Sequence, residues 1–164
     1  MGYEQMEIIN TFINGLVGIG TLALAFAAFK QLRELKEERK RKIALELAAL
    51  SYYILGYIIR NYSEVMEYIH HYRSTDFILE NILSTEYYFI YGNETPALFY
   101  IKELTKILKD KEILRIGNEI YPESPNKFKL AMKLLKLINI LMKKYKIGIE
   151  ELKRHIKMIT ATTI

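Results

Sequence analysis

Metal chemistry is the first function the residue types of this chain suggest, because His70-His71 follows Glu64 and Glu67. Glu67-Tyr68-Ile69-His70 is a Glu-x-x-His pattern that places carboxylate and imidazole on one helix face. Carboxylate-bridged di-iron bundles need that motif twice, together with a Glu from each of two further helices. The second copy is missing, since Leu152 stands three residues before His155. Two exposed polar histidines near a helix end account for the pattern better than a metal centre does.

Nucleophilic and phosphate chemistry find less support still. The chain has no cysteine, which removes disulfides, thiol nucleophiles and Cys-based zinc or redox sites. Ser51, Ser63, Ser74, Ser84 and Ser124 have no sequence context that suggests an activating base. Gly-x-Gly-x-x-Gly, Gly-x-x-x-x-Gly-Lys-Ser/Thr, His-Glu-x-x-His and Gly-x-Ser-x-Gly do not occur. Gly15, Gly18 and Gly20 cluster, but inside an apolar run where they cannot cradle a phosphate. The expectation is a protein that is not an enzyme and uses no cofactor.

Tyrosines are dense at Tyr52, Tyr53, Tyr57, Tyr62, Tyr68, Tyr72, Tyr87, Tyr88, Tyr91 and Tyr100. Aromatics interleaved with bases can stack on single-stranded nucleic acid, but these sit among acids, which repel phosphate. They fit a helical core with hydroxyls at its edge, or a protein contact surface, where Tyr is enriched. Sparse glutamine, absent cysteine and heavy use of Ile, Lys, Glu and Tyr match a bias described for hyperthermophile proteins.

Charge is arranged in blocks of alternating sign that the net +5 conceals. Residues 1–29 carry −2, residues 30–42 carry +4, residues 43–101 carry −5 and residues 102–164 carry +8. The basic blocks call for an anionic partner, or for the acidic middle folding back on them.

The element that stands out is Ile8 to Phe29, twenty-two residues without a charge. At 1.5 Å per residue a helix of that length covers about 33 Å, enough to cross a hydrocarbon core. Asn10, Thr11 and Asn14 place its start near the headgroup layer, and Phe12 to Phe29 is the more apolar part. The N-terminal flank has no Lys or Arg, while Lys30, Arg33, Lys36, Arg39, Lys40, Arg41 and Lys42 follow the run. The positive-inside rule then sets the N-terminus outside and the C-terminus in the cytoplasm, in a single-pass protein of the cell membrane. A cleaved signal peptide fits worse, because its first residues would be positive. The competing reading is a buried helix of a soluble protein, for which a chain of 164 residues has little core.

Thr11, Gly15, Gly18, Thr21, Ala25 and Ala28 recur on one face of this helix. Small faces let transmembrane backbones approach, so the stripe is a candidate oligomerisation face; the bland reading is that Gly and Ala are common in membrane helices. The seven bases of residues 30–42 read as a stop-transfer signal and an anionic-lipid contact.

The expected fold is all-α: an N-terminal transmembrane helix followed by a small cytoplasmic helical bundle. Its parts are residues 1–29 (extracytoplasmic N-terminus and span), 30–42 (basic juxtamembrane helix) and 43–164 (cytoplasmic helical domain). Ile43 to Ile59 is the main threat to that topology, since it approaches a second span; Glu46 and the following Arg60 argue for a core helix instead. Downstream, helices are expected over 76–91, from Pro96 to about Leu114 with a break near Asp110, and from Lys127 to Lys146. A short helix opens at Glu150-Glu151. Thr95-Pro96 and Ser124-Pro125 read as cap-then-proline starts, and Gly117-Asn118 and Gly148 as stops. In the helix from Lys127, Lys129, Lys133, Lys136 and Lys143 share a stripe, either solvated above a docked apolar face or set against an anionic bilayer.

The functional expectation is a membrane-anchored interaction or scaffold module, with membrane lipids, a second copy of itself and an unknown protein as partners. Two alternatives stand beside it. One is a membrane-associated nucleic-acid-binding protein using the basic C-terminal third, with nucleic acid the less favoured partner. The other is a two-span helical hairpin forming an oligomeric pore, holin-like by analogy.

Overall fold

The structure is a computed structural model that describes residues 3–62, 65, 67, 95–121 and 126–161. Among the described residues the regular elements are all α-helices and no strand occurs. In chain order they are α1 (Tyr3–Asn61), α2 (Thr95–Leu108), α3 (Lys111–Ile120), α4 (Lys127–Tyr145) and α5 (Ile149–Ala161). His70-His71, the run over 76–91, the connector over 92–94 and the Ser124-Pro125 start lie outside the described residues.

The chain divides into two compact units, Met1–Lys40 and Arg41–Ile164. Helix α1 contributes residues to both. It is unbroken from Tyr3 to Asn61, so no turn separates the apolar run at 8–29 from that at 43–59. The reason is local: residues 30–42 hold neither Gly nor Pro and consist almost entirely of strong helix formers.

In the second unit the apolar run over 43–59 is a core helix. Ala44, Leu47, Ala48, Ala49, Tyr52, Ile54, Leu55, Ile58 and Ile59 are all buried. At 100° per residue the buried positions cover about 220° of the helix, a wide face that packs into the core. Ser51 donates to the Leu47 carbonyl at 2.7 Å, and Glu46 accepts the Tyr100 hydroxyl at 2.9 Å. That bond holds the Tyr100 hydroxyl above its ordinary pKa, because the neighbouring carboxylate disfavours the phenolate.

Helices α2 and α3 pack on each other, and α3 packs on α4. Leu98, Ile101, Leu104, Thr105 and Leu108 form the buried face of α2, and Ile113, Ile116, Gly117 and Ile120 that of α3. The break expected near Asp110 is present. Lys109 turns the chain with φ 55, and the Asp110 carboxylate caps α3 by accepting from the backbone N–H groups of Glu112 and Ile113, each at 3.1 Å.

Two expected stops need correction. Gly117-Asn118 does not end a helix, since α3 runs on to Ile120. Gly117 is instead the point of closest approach to α2, where a Cβ would lie 2.8 Å from Thr105 Cγ2 and 2.9 Å from Thr105 Cβ. Helix α4 ends at Tyr145, within one residue of its expected end, but the left-handed cap is Lys146, with φ 53, and not Gly148. At the other end of α4 the cap is Asn126, whose side chain accepts from the Lys129 N–H at 3.0 Å.

Thr105 is buried and pinned by a 2.6 Å hydrogen bond from its hydroxyl to the Lys102 carbonyl, so it cannot swing away from a new methyl group. Gly117→Ala is therefore expected to destabilise the protein by about 1–3 kcal/mol, the range for overpacking a tight contact. Thermal denaturation of the purified chain reads the effect. Adding Thr105→Ala should restore part of the loss, because Cγ2 and Oγ1 vanish while Cβ remains.

Candidate functional site

In the first unit the large apolar side chains of α1 lie at the surface. Ile13, Leu16, Val17, Ile19, Leu22, Leu24, Phe26 and Phe29 are exposed, Leu22 and Leu24 each by 73%. None of the best apolar window of this helix is buried, and it is long and apolar enough to cross a membrane. At 100° per residue those large side chains occupy most of the circumference. The remaining arc, about 80° wide, holds Gly18, Thr21, Ala25 and Ala28 and none of the large apolar residues between 13 and 28.

The six small residues of the expected oligomerisation face, Thr11, Gly15, Gly18, Thr21, Ala25 and Ala28, are all exposed. Around Gly15 and Gly18 an added Cβ would meet nothing within 4 Å. The two hydroxyls on this face donate back into the helix: Thr11 to the Glu7 carbonyl at 2.9 Å and Thr21 to the Val17 carbonyl at 2.8 Å. That arrangement satisfies the donors inside an apolar medium without an external partner.

The seven bases after the apolar run do not share one environment. Lys30 lies 4.0 Å from Glu34 and Lys40 3.4 Å from Glu37, both exposed pairs along the helix. Arg33, Lys36, Arg39 and Lys42 are exposed. Arg41, the first residue of the second unit, is instead drawn into an ion pair with Glu151 of α5, Nη2 to Oε2 at 2.6 Å. The Arg41 guanidinium holds the Glu151 carboxyl below its ordinary pKa.

The lysines of α4 also divide. Lys129, Lys136 and Lys143 are exposed, as a stripe above a docked apolar face requires. Leu130, Ala131, Leu134, Leu135, Leu137, Ile138 and Leu141 form that buried face. Lys133 is half-buried and donates to the Glu119 carbonyl of α3 at 3.0 Å, with the Glu119 carboxylate 3.9 Å away. Lys144, which the stripe omits, is paired with Asp110. That pair joins the N-terminus of α3 to the last turn of α4, with each charge on the favourable end of its helix dipole. The Lys144 ammonium pushes the Asp110 carboxyl down, and the carboxylate raises the Lys144 ammonium in return.

Two contacts went unread in the sequence. Phe99 meets Tyr121 edge-on with centroids 5.5 Å apart, and Lys102 Nζ lies 5.2 Å over the Tyr121 ring. Neither carries a periodic signal, because the partners belong to different elements. The cap at Asp110 had a signal, an acceptor side chain just before a helix start. Of the metal motif only Glu67 is described, and it is exposed; among the described residues no three His, Cys, Asp or Glu side chains converge. Comparison with known proteins finds no matching family model, no matching curated protein and no matching solved structure.

Asp110 and Glu151 both have carboxyl pKa values lowered by folding, so each adds stability above its unfolded value, about 4, that is lost as pH falls through the folded value. Acid titration is expected to reduce the thermal midpoint below about pH 4, and less steeply in Asp110→Asn, where no carboxylate remains to titrate. At neutral pH, Asp110→Ala should lose about 0.5–2 kcal/mol, the value of a helix cap, and Asp110→Asn less, because Asn still accepts from the α3 amides. A midpoint that is insensitive to pH in the wild-type chain would contradict the pairing.

Proposed function

We propose that this chain is a single-pass membrane protein whose helical domain serves as a cytoplasmic interaction module. The observation that carries the reading is the exposure of large apolar side chains around the first half of α1. A surface of that extent in water marks a membrane or partner site, and a helix satisfies its own backbone hydrogen bonds, as a lipid span must. The extracytoplasmic side takes the N-terminus, because all seven bases that flank the run follow it. Burial of the segment over 43–59 in the second unit and the continuity of α1 favour one span over a hairpin.

Within this reading the small-residue arc is the surface through which anchors associate, since close backbone approach is what drives helix pairing in lipid. The proposed role is that of a scaffold: α1 holds the helical domain at the bilayer, and the domain presents its surface to a protein partner. No catalytic role is assigned.

The absence of cysteine makes the topology directly testable, because any introduced thiol is unique. Tyr3→Cys should react with a membrane-impermeant maleimide in intact cells, and Lys157→Cys only after lysis; the reverse pattern would overturn the orientation. Leu22→Arg places a charge near the middle of the apolar run, where insertion scales assign about 2.5–3.5 kcal/mol. The fraction of chain retained in membranes after alkaline carbonate extraction should fall sharply. Retention equal to the wild-type chain would refute α1 as the anchor.

A further inference from the structure

Helix α4 differs from every other described helix of the second unit in its charge. It carries six lysines and no carboxylate between Lys127 and Tyr145, whereas α2, α3 and α5 each mix acids with bases. A helix with so many bases and an apolar side ordinarily lays the apolar side on a partner. Here that side is already occupied by the core, from Leu130 to Leu141. What α4 can present is therefore its opposite face.

That face is organised. Lys129, Lys133, Lys136 and Lys143 fall within about 80° of arc at 100° per residue, and between Lys129 and Lys143 they extend about 21 Å along the axis. Neighbouring helices neutralise only part of the charge. Glu119 of α3 takes Lys133, and Asp110 takes Lys144. Among the described residues no carboxylate pairs with Lys129, Lys136 or Lys143. Apolar groups lie on or beside the same arc: Met132 is 42% exposed, and Ile140 is half-buried between the lysines. Lysine heads around exposed apolar groups suit the boundary between lipid headgroups and acyl chains, where the stems lie along apolar surface and the ammonium groups reach phosphate.

We infer that the lysine face of α4 rests on the anionic headgroups of a bilayer, so that the second unit touches the membrane as well as being tethered to it. The inference depends on α1 being a span. Given that tether, the contact is intramolecular, and lysines too weak to recruit a free protein suffice at the high effective concentration of the surface. A nucleic acid is the poorer occupant, because the arc contains no aromatic side chain on which a base could stack.

The test uses the full chain in lipid nanodiscs, where both membrane faces are accessible. Met132→Cys carries a bimane label as the only thiol, and a lipid with a spin label near its headgroup is the quencher. In discs with about 30% phosphatidylserine the quenching should be at least about twice that in phosphatidylcholine discs, and about 0.5 M NaCl should abolish the difference by shortening the screening length to roughly 4 Å. Replacing Lys129, Lys136 and Lys143 together by Gln should also abolish it, with helicity unchanged by circular dichroism. Equal quenching in the two lipids, or no effect of the triple replacement, would overturn the inference while leaving α1 as an anchor. A bimane response to duplex RNA on neutral discs would overturn it in favour of nucleic acid. A chain that does not enter discs at all would overturn the anchor itself, and this contact with it.

Discussion

The large apolar side chains of α1 between Ile13 and Phe29 are exposed, and how that surface is satisfied is the physical constraint on the rest of the protein. Burying an exposed Leu or Ile is worth about 1.5–3 kcal/mol, so a whole run of them cannot be left in water without association. A soluble domain would fold such a helix into its core. The second unit instead fills its core with a different part of α1, the segment over 43–59, together with α2 to α5. The same helix thus supplies one apolar run to an internal core and carries another that is exposed.

Charge separates these two runs. Residues 30–42 interrupt the apolar sequence without interrupting the helix, because Lys, Arg and Glu have long stems and high helix propensity. The same basic residues carry the helical backbone onward. Arg41 then marks the start of the second unit by pairing with Glu151, while Lys30 and Lys40 meet only acids of their own helix. Exposed pairs of the latter kind contribute little to stability. The Arg41 and Asp110 pairs differ because each links separate elements and brings a partly buried carboxylate under control.

Sequence patterns disclosed the parts of this fold governed by local physics. An uncharged run of helical length, an all-α composition and a break at Asp110 depend on near neighbours, and each is visible without a partner. Glycine was harder to read. At Gly117 it permits α2 and α3 to approach, which depends on Thr105 twelve residues away, and a glycine followed by Asn looks locally like a stop. Gly148 is not the cap of α4, because Lys146 takes the left-handed turn that a glycine usually supplies. Lys129, Lys136 and Lys143 are exposed on one side of α4, but the subtraction of Lys133 and the addition of Lys144 depend on acidic residues of α3 and its cap. The pairing of Arg41 with Glu151 spans 110 positions and leaves no periodic trace.

The two lysine-rich stretches therefore have different standing. Those of residues 30–42 adjoin an apolar run, and in the proposed single-pass topology position alone would give them a role in setting orientation. Those of α4 lie on a helix whose apolar side is buried, so in the proposed contact they would meet a surface that carries negative charge and accepts Met132 as well. A domain free in solution would find such a surface only through affinity. One tethered to a bilayer is presented with it continuously, and modest contacts then suffice to set which side faces the lipid. For the proposed scaffold role, orientation of that kind would decide which side remains available to a protein partner.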